Sequence, residues 1–317
     1  MVNNSEAVWI EVIIKYNSNY VLCLCDFVLP FLNNIKNNNL LEQYYFIKNV
    51  EGLPLIHLRL KSYDSVKLTN TIITSDAFFK SGELVDSSYG FVRITKYKPH
   101  IDRYGGPEGM KIAEKFFEIS SEVVLRNYVL NYNSLDKNLL ITSAIFLHIG
   151  FIKAAQLDTD DAIMLLDFNI NNWIGHIITE KQLIDGKKWL KAEITVEIEK
   201  LKAFFEDFYQ EHLKEINNII LNICDPHKFE NQTYQLYKYW TVNINKSNKI
   251  LKQLMSADKL NIPQQILFNN IYKKLHENNK IWFYYDSYFH MTNNRLGLRP
   301  RDESFIYYMI KRVFEKK

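Results

Sequence analysis

The sequence predicts an α+β protein, with a ferredoxin-like βαββαβ part over residues 1–106 and a mainly helical part over 107–317, together forming one module. Two observations predict it. Over the first hundred residues, short β-branched and aromatic runs alternate with stretches of helical periodicity. After Gly106 apolar residues recur every three or four positions, while glycine and proline become scarce.

Each element follows in order. "AVWIEVIIKY" (7–16) is a strand by its β-branched residues and spaced charges. Val21, Leu22, Leu24, Val28, Phe31, Leu32 and Ile35 stand at helical spacing across 18–36, with Pro30 as a kink. "EQYYFIKNV" and "PLIHLRLK" are two strands joined by a short loop around Gly52. A helix over 63–80 and a strand at "YGFVRITKY" complete the set. "YKPHIDRYGGPEGMKIAEKFF" (97–117) then reads as strand end, tight turn and helix start. Gly105 and Gly106 permit positive φ, and Pro107 suits a first helical position. Helices are predicted over 108–130, 137–154, 196–223, 230–255 and 262–278, with connectors near 155–161, 167–187 and 224–231.

The bulk properties narrow the function. An apolar fraction of 47% and an aromatic fraction of 14% belong to a globular chain, and 317 residues can bury a large core. A net charge of +3, from 39 basic and 36 acidic residues, excludes a broad electrostatic surface, so no direct nucleic-acid partner is expected. The three cysteines (Cys23, Cys25, Cys224) form no paired CxxC spacing and fit a reduced, cytoplasmic setting. Glu11 and Lys15 interrupt the apolar N-terminal run, which is neither a signal peptide nor a membrane span. The GxxxxGK, HExxH and GxSxG motifs are absent, as is GxGxxG after a strand. Nucleotide, metalloprotease and serine-hydrolase chemistry lose support, and no cofactor or metal is expected.

Three constellations remain. In "IHLRLK", strand alternation puts His57, Arg59 and Lys61 on one face and Leu58 and Leu60 on the other. That is a solvated strand face or a cationic cleft wall. Arg103 and Tyr104 adjoin the Gly-Gly turn, which is an ordinary turn or a device that aims Arg103 at a ligand. In "YFHMTNNRLGLRPRDE", a helix sets His290 and Asn294 one turn apart with Arg295 beside them. Gly297 suits its C-cap, and Pro300 a restart. The bland alternative is a packed histidine at a helix end, although Arg299, Arg301 and Glu303 add more polar groups than such an end requires. Cys23 and Cys25 read as core, and His148 in "AIFLHIGF" as a buried, satisfied histidine.

The segments "YKPHIDRYGGPEGMKIAEKFF" and "HMTNNRLGL", with the strands "VWIEVIIKY" and "YYFIKNVEGLPLIHLRLK", resemble the C-terminal domain of lantibiotic dehydratases. The same module occurs free-standing among thiopeptide-type bacteriocin biosynthesis proteins. The likeness runs in order from Trp9 to Glu303. It departs at Lys48 and Lys61, where arginine is common, and at His100, where glutamate is usual. The resemblance implies elimination of glutamate from glutamylated Ser or Thr of a ribosomal precursor peptide, leaving dehydroalanine or dehydrobutyrine. A separate glutamylation protein that uses glutamyl-tRNA would make the ester. Arg59, Arg103 and His290 are the implied elimination residues, with Lys61, His57, Tyr104, Asn294 and Arg295 assisting substrate binding. The alternatives are a pyridine-forming [4+2] cycloaddition enzyme and a non-catalytic precursor-peptide-binding subunit, with a homodimer left open.

The chemistry suits these residue types. Elimination needs a base for the Cα proton, and a histidine transfers protons near neutral pH. Arginine stays charged and can grip a carboxylate through two hydrogen bonds, whereas lysine cannot. Arg59 and Arg103, helped by Lys61, are expected to hold the anion. His290 is expected to move the proton, oriented by Asn294 or Arg295.

Overall fold

A computed structural model of the chain describes residues 6–16, 19–49, 53–81, 90–224, 231–261 and 281–315. The protein is α+β, and its described residues divide into two units. One holds those up to Asn133 together with 250–261; the other holds 134–249 and 281–315.

The first unit carries a four-stranded antiparallel sheet of β1 (Val8–Lys15), β2 (Gln43–Lys48), β3 (Leu55–Ser62) and β4 (Gly90–Lys96), in the order β2-β3-β1-β4. Between β1 and β2 lies a continuous helical run. It comprises α1 (Tyr20–Leu22), a π-helical segment (Cys23–Val28) and α2 (Leu29–Asn37). The π segment is the structural outcome of Pro30. Proline cannot donate to a carbonyl four residues back, and the ladder just before it widens, so that Leu29 bonds to Leu24. The predicted helix over 63–80 is α3 (Ser65–Ser81), which packs on β1, β3 and β4. Ile10, Val12 and Ile14 of β1, with Ile56, Leu58 and Leu60 of β3, form the buried sheet face. Alternation leaves Glu11, His57, Arg59 and Lys61 on the other face.

A short 3₁₀ helix (Ile101–Tyr104) leads into α4 (Pro107–Leu130), which runs along β2. Ser121 of α4 accepts from the outward N–H of Phe46 at 3.2 Å, and Tyr44 bonds to Glu122 at 2.6 Å. The exposed edge of β2 is thereby covered.

The second unit is helical: α5 (Lys137–Ala154), α6 (Thr159–Asp185), α7 (Lys191–Glu211), α8 (Leu213–Cys224), most of α9 (Asn231–Ser256), α10 (Trp282–Arg295) and α11 (Pro300–Phe314). Asp136 and Asp158 cap α5 and α6 through 2.8 Å bonds from the amides three residues on. α5 is apolar on every side and long enough to cross a membrane, but most of it is buried inside the unit, as suits a central core helix.

Two expectations are corrected. The stretch 167–187 is no connector, because α6 runs through it to Asp185. Phe168, Ile170, Trp173, Ile174, Ile177 and Ile178 keep helical spacing there and are buried, although the asparagines and Gly175 give the stretch a loop-like composition. The helix predicted over 196–223 is two helices, broken at His212, whose ring stacks on Phe208 with centroids 4.0 Å apart. The helix predicted over 262–278 lies outside the described residues.

Candidate functional site

In the first unit the candidate site grows from strand register. Arg59 stands directly between Tyr45 on β2 and Glu11 on β1, and His57 and Lys61 occupy the next same-face positions of β3. Arg59 Nε donates to Glu11 Oε1 at 3.0 Å, and Nη1 donates to the Tyr45 hydroxyl at 2.9 Å. The guanidinium lies over the rings of Tyr97 (4.9 Å) and Tyr45 (5.3 Å). His57 Nδ1 also reaches Glu11 Oε1, at 3.3 Å. The His57 hydrogen bond, joined by the charge and hydrogen bond of Arg59, holds the Glu11 carboxyl down at about 2 against the effect of burial. Arg59 is therefore already paired, and its side chain is only 12% exposed. Its Nη2 makes no hydrogen bond among the described residues. Lys61 sits 5.7 Å over the ring of Trp9.

Arg103 lies in the 3₁₀ helix, exposed, and its side chain has no hydrogen bond or ion pair among the described residues. Tyr104 is buried and turned onto Phe117 (5.4 Å between centroids), which in turn meets Tyr45 (5.2 Å). The arginine turn is thus anchored to the ring beneath Arg59.

The three glycines of this turn answer to the chain itself. Gly105 has φ 76° and Gly106 φ 104°, both in the region that disfavours side chains. A Cβ on Gly109 would lie 1.7 Å from the Tyr104 carbonyl oxygen. Asn261 donates its amide to the Gly105 carbonyl at 3.0 Å. These glycines close the turn, and Arg103 is exposed.

In the second unit His290 sits on α10 and its ring stacks on Trp173 of α6, with centroids 4.4 Å apart. His290 Nδ1 lies 2.9 Å from Oε1 of Glu303, whose side chain is 1% exposed. The other oxygen of Glu303 accepts from Asn293 Nδ2 and from the Tyr307 hydroxyl, each at 3.1 Å. Asn293 also donates to the Tyr307 oxygen at 2.8 Å, and its Oδ1 lies 2.8 Å from His148 Nε2. Asn293 Oδ1 is an acceptor here, so His148 Nε2 carries the proton, and burial pulls that imidazole down to about 4. His148 is buried as expected but only half satisfied, since its Nδ1 lacks a partner among the described residues.

The orienting role expected of Asn294 or Arg295 is corrected. Arg295 is fully buried and donates Nη1 to the Met291 carbonyl at 2.6 Å, which serves its own helix end. Asn294 is buried as well. The group that holds His290 Nδ1 is Glu303, brought back by the positive-φ corner at Gly297 and the restart at Pro300. Glu11, Tyr45, Tyr97, Trp173, Asn293 and Tyr307 also escape sequence reasoning, because strand register and helix packing alone bring them in. Among the described residues no group of three His, Cys, Asp or Glu is placed to hold a metal ion.

His290 Nε2 has no hydrogen-bond partner among the described residues, and its side chain is 19% exposed. A histidine with Nδ1 held by a buried carboxylate and Nε2 open can accept and return a proton.

Comparisons with known proteins agree with the resemblance in the motifs. The chain is 24% identical over 307 residues to the epidermin biosynthesis protein EpiB of Staphylococcus epidermidis, covering 95% of this chain and 25% of that protein. It thus spans about a quarter of the length of this curated relative. Among solved structures, TsrL shares the fold with a TM-score of 0.67 at 15% identity, over 98% of this chain and 95% of TsrL. TbtD, a pyridine synthase from thiomuracin biosynthesis, gives 0.60 at 10% identity, over 98% of both chains. MibB, a tRNA-dependent lantibiotic dehydratase from Microbispora sp. 107891, gives 0.60 at 12%, over 98% of this chain and 28% of MibB. The family described as "Lantibiotic biosynthesis dehydratase C-term" matches residues 9–314, from the strand that carries Glu11 to the helix that carries Glu303, and the chain belongs to that family.

Proposed function

We propose that the chain is a lyase that eliminates glutamate from glutamylated Ser or Thr in a ribosomal precursor peptide. His290 Nε2 takes the Cα proton, the Cα–Cβ double bond forms, and the Cβ–O bond breaks to release glutamate as a carboxylate. Dehydroalanine or dehydrobutyrine remains in the peptide. The observation that carries this reading is the His290–Glu303 pair, whose buried carboxylate fixes the tautomer that leaves Nε2 as the acceptor. A general base of this kind contributes roughly 10²–10⁴-fold. Arg103, exposed and without an ion pair among the described residues, and the Nη2 edge of Arg59 supply cationic donors for the carboxylate. Lys61 and His57 border Arg59 on the same strand face. The β2-β3-β1-β4 order supports the ferredoxin-like description of this sheet. A separate glutamylation protein makes the ester, and the reaction belongs in the cytoplasm.

A second reading draws on a specific observation. Arg59 is already paired with Glu11, which weakens it as a carboxylate clamp, and ring closure of the kind named for TbtD needs none. Mass spectrometry of a glutamylated peptide after incubation separates the two. Elimination removes the glutamyl group, whereas ring closure expels the leader and changes ultraviolet absorption. Binding with neither product would identify a peptide-binding subunit.

A further inference from the structure

Two fully buried polar side chains of the second unit, His148 on α5 and Asn293 on α10, are given no role by the reaction itself. Asn293 uses its amide completely. Nδ2 donates to Glu303 Oε2 at 3.1 Å and to the Tyr307 oxygen at 2.8 Å, and Oδ1 faces His148 Nε2 at 2.8 Å. The direction of each bond is forced. A carboxylate can only accept, so the amide must turn its NH₂ toward Glu303. Its oxygen is then left for His148, whose Nε2 must carry a proton.

His148 is built to keep that proton in place. Its ring stacks on Phe289 with centroids 4.3 Å apart and meets the Tyr307 ring at 5.5 Å, and its Nδ1 has no partner among the described residues. A proton on Nδ1 would be a buried donor with nothing to receive it, whereas a bare nitrogen there is the milder omission. With the proton on Nε2, the Asn293 amide has one acceptable orientation. With the proton on Nδ1, the amide could turn over and set its oxygen against the Glu303 carboxylate. Stability alone does not account for this pair, since replacing both partners of a buried hydrogen bond by apolar groups of similar shape can be nearly neutral.

We propose that His148 is a positioning residue for His290, acting through Asn293 and Glu303. It fixes the Asn293 amide, and the amide and Tyr307 fix one oxygen of Glu303. The other oxygen then meets His290 Nδ1 at 2.9 Å. Three helices are tied by this chain of bonds, and His290 Nε2 is presented as a bare acceptor before any substrate arrives. The effect on turnover rests on the elimination reading; the orientation of His290 does not.

The test uses the full chain labelled with ¹⁵N-histidine in mildly alkaline buffer, where the ring nitrogen shifts report which nitrogen carries the proton. The signals of His148 and His290 are assigned by their loss in His148→Gln and His290→Ala. In the wild type, His148 should carry its proton on Nε2 and His290 on Nδ1. His148→Phe keeps a ring for the stack but removes the donor. His290 should then populate both tautomers, and elimination should slow roughly 10-fold. Asn293→Leu should do the same, and it reports even if His148→Phe fails to fold. His148→Gln can set an N–H where Nε2 stood, and should bring both the His290 tautomer and the rate back close to the wild type. Three results overturn the proposal: a wild-type His148 protonated on Nδ1, a His290 tautomer unchanged in both His148→Phe and Asn293→Leu, or a His148→Gln no closer to the wild type than His148→Phe. The expected tautomers in a protein whose wild type never eliminates glutamate support the positioning and remove the elimination reading.

Discussion

Nδ1 of His290 lies 2.9 Å from Oε1 of Glu303, a carboxylate whose remaining oxygen is held by Asn293 and Tyr307. Glu303→Gln keeps the shape but puts an amide where two donors and an imidazole expect an acceptor. The elimination rate is expected to fall roughly 10²–10⁴-fold as His290 loses its tautomer. Stability should drop by about 1–3 kcal/mol from the unsatisfied buried donor. Single-turnover mass spectrometry and denaturant unfolding measure the two effects separately.

The two arginines should behave differently. Arg103 touches no other side chain through a hydrogen bond or ion pair among the described residues, so Arg103→Ala should leave stability within about 0.5 kcal/mol. Any loss of turnover is then a loss of function. Arg59→Ala strips Glu11 and Tyr45 of a partner and should lower stability as well as activity. Thermal unfolding alongside the elimination assay distinguishes them.

Glycine substitutions should move stability in opposite directions. Gly109→Ala forces a methyl to 1.7 Å from the Tyr104 carbonyl and should destabilise by about 3 kcal/mol or more. Gly175→Ala, in the exposed interior of α6 with nothing within 4 Å, should stabilise by about 1 kcal/mol. Equilibrium unfolding curves for the two variants check both signs.

Acid should weaken the second unit through His148. Its imidazole is held at about 4 in the fold, against 6.5 when exposed. Below pH 6.5 the unfolded chain therefore takes up a proton that the folded one refuses. The stability from a neutral His148 is complete above pH 6.5 and is lost as the pH falls toward 4, by roughly 3 kcal/mol in all. His148→Leu should flatten that part of the stability–pH curve. Glu11 acts lower down, with a contribution present above 4.5 and lost as the pH approaches 2.

The legible parts of the sequence are those that depend on local spacing. Alternation in "IHLRLK" places His57, Arg59 and Lys61 on one face, and the structure keeps them there. Apolar spacing locates α5 at 137–154, and Pro107 marks the start of α4. What local spacing cannot carry is partnership across the chain. Glu11 meets Arg59 from 48 residues away because the β1–β3 register sets it opposite. Glu303 meets His290 from 13 residues away because the chain turns at Gly297. Nor does composition signal that the chain returns to the first unit at 250–261 to dock on Gly105.

The central claim is that His290, held by Glu303, takes a proton from a glutamylated residue. The most direct measurement is mass spectrometry of a glutamylated precursor peptide incubated with the wild-type chain, His290→Ala and Glu303→Gln. Loss of the glutamyl mass is expected with the wild type, an intact ester with His290→Ala and slow conversion with Glu303→Gln. An ester untouched by the wild type, or one removed at full rate by His290→Ala, would contradict it.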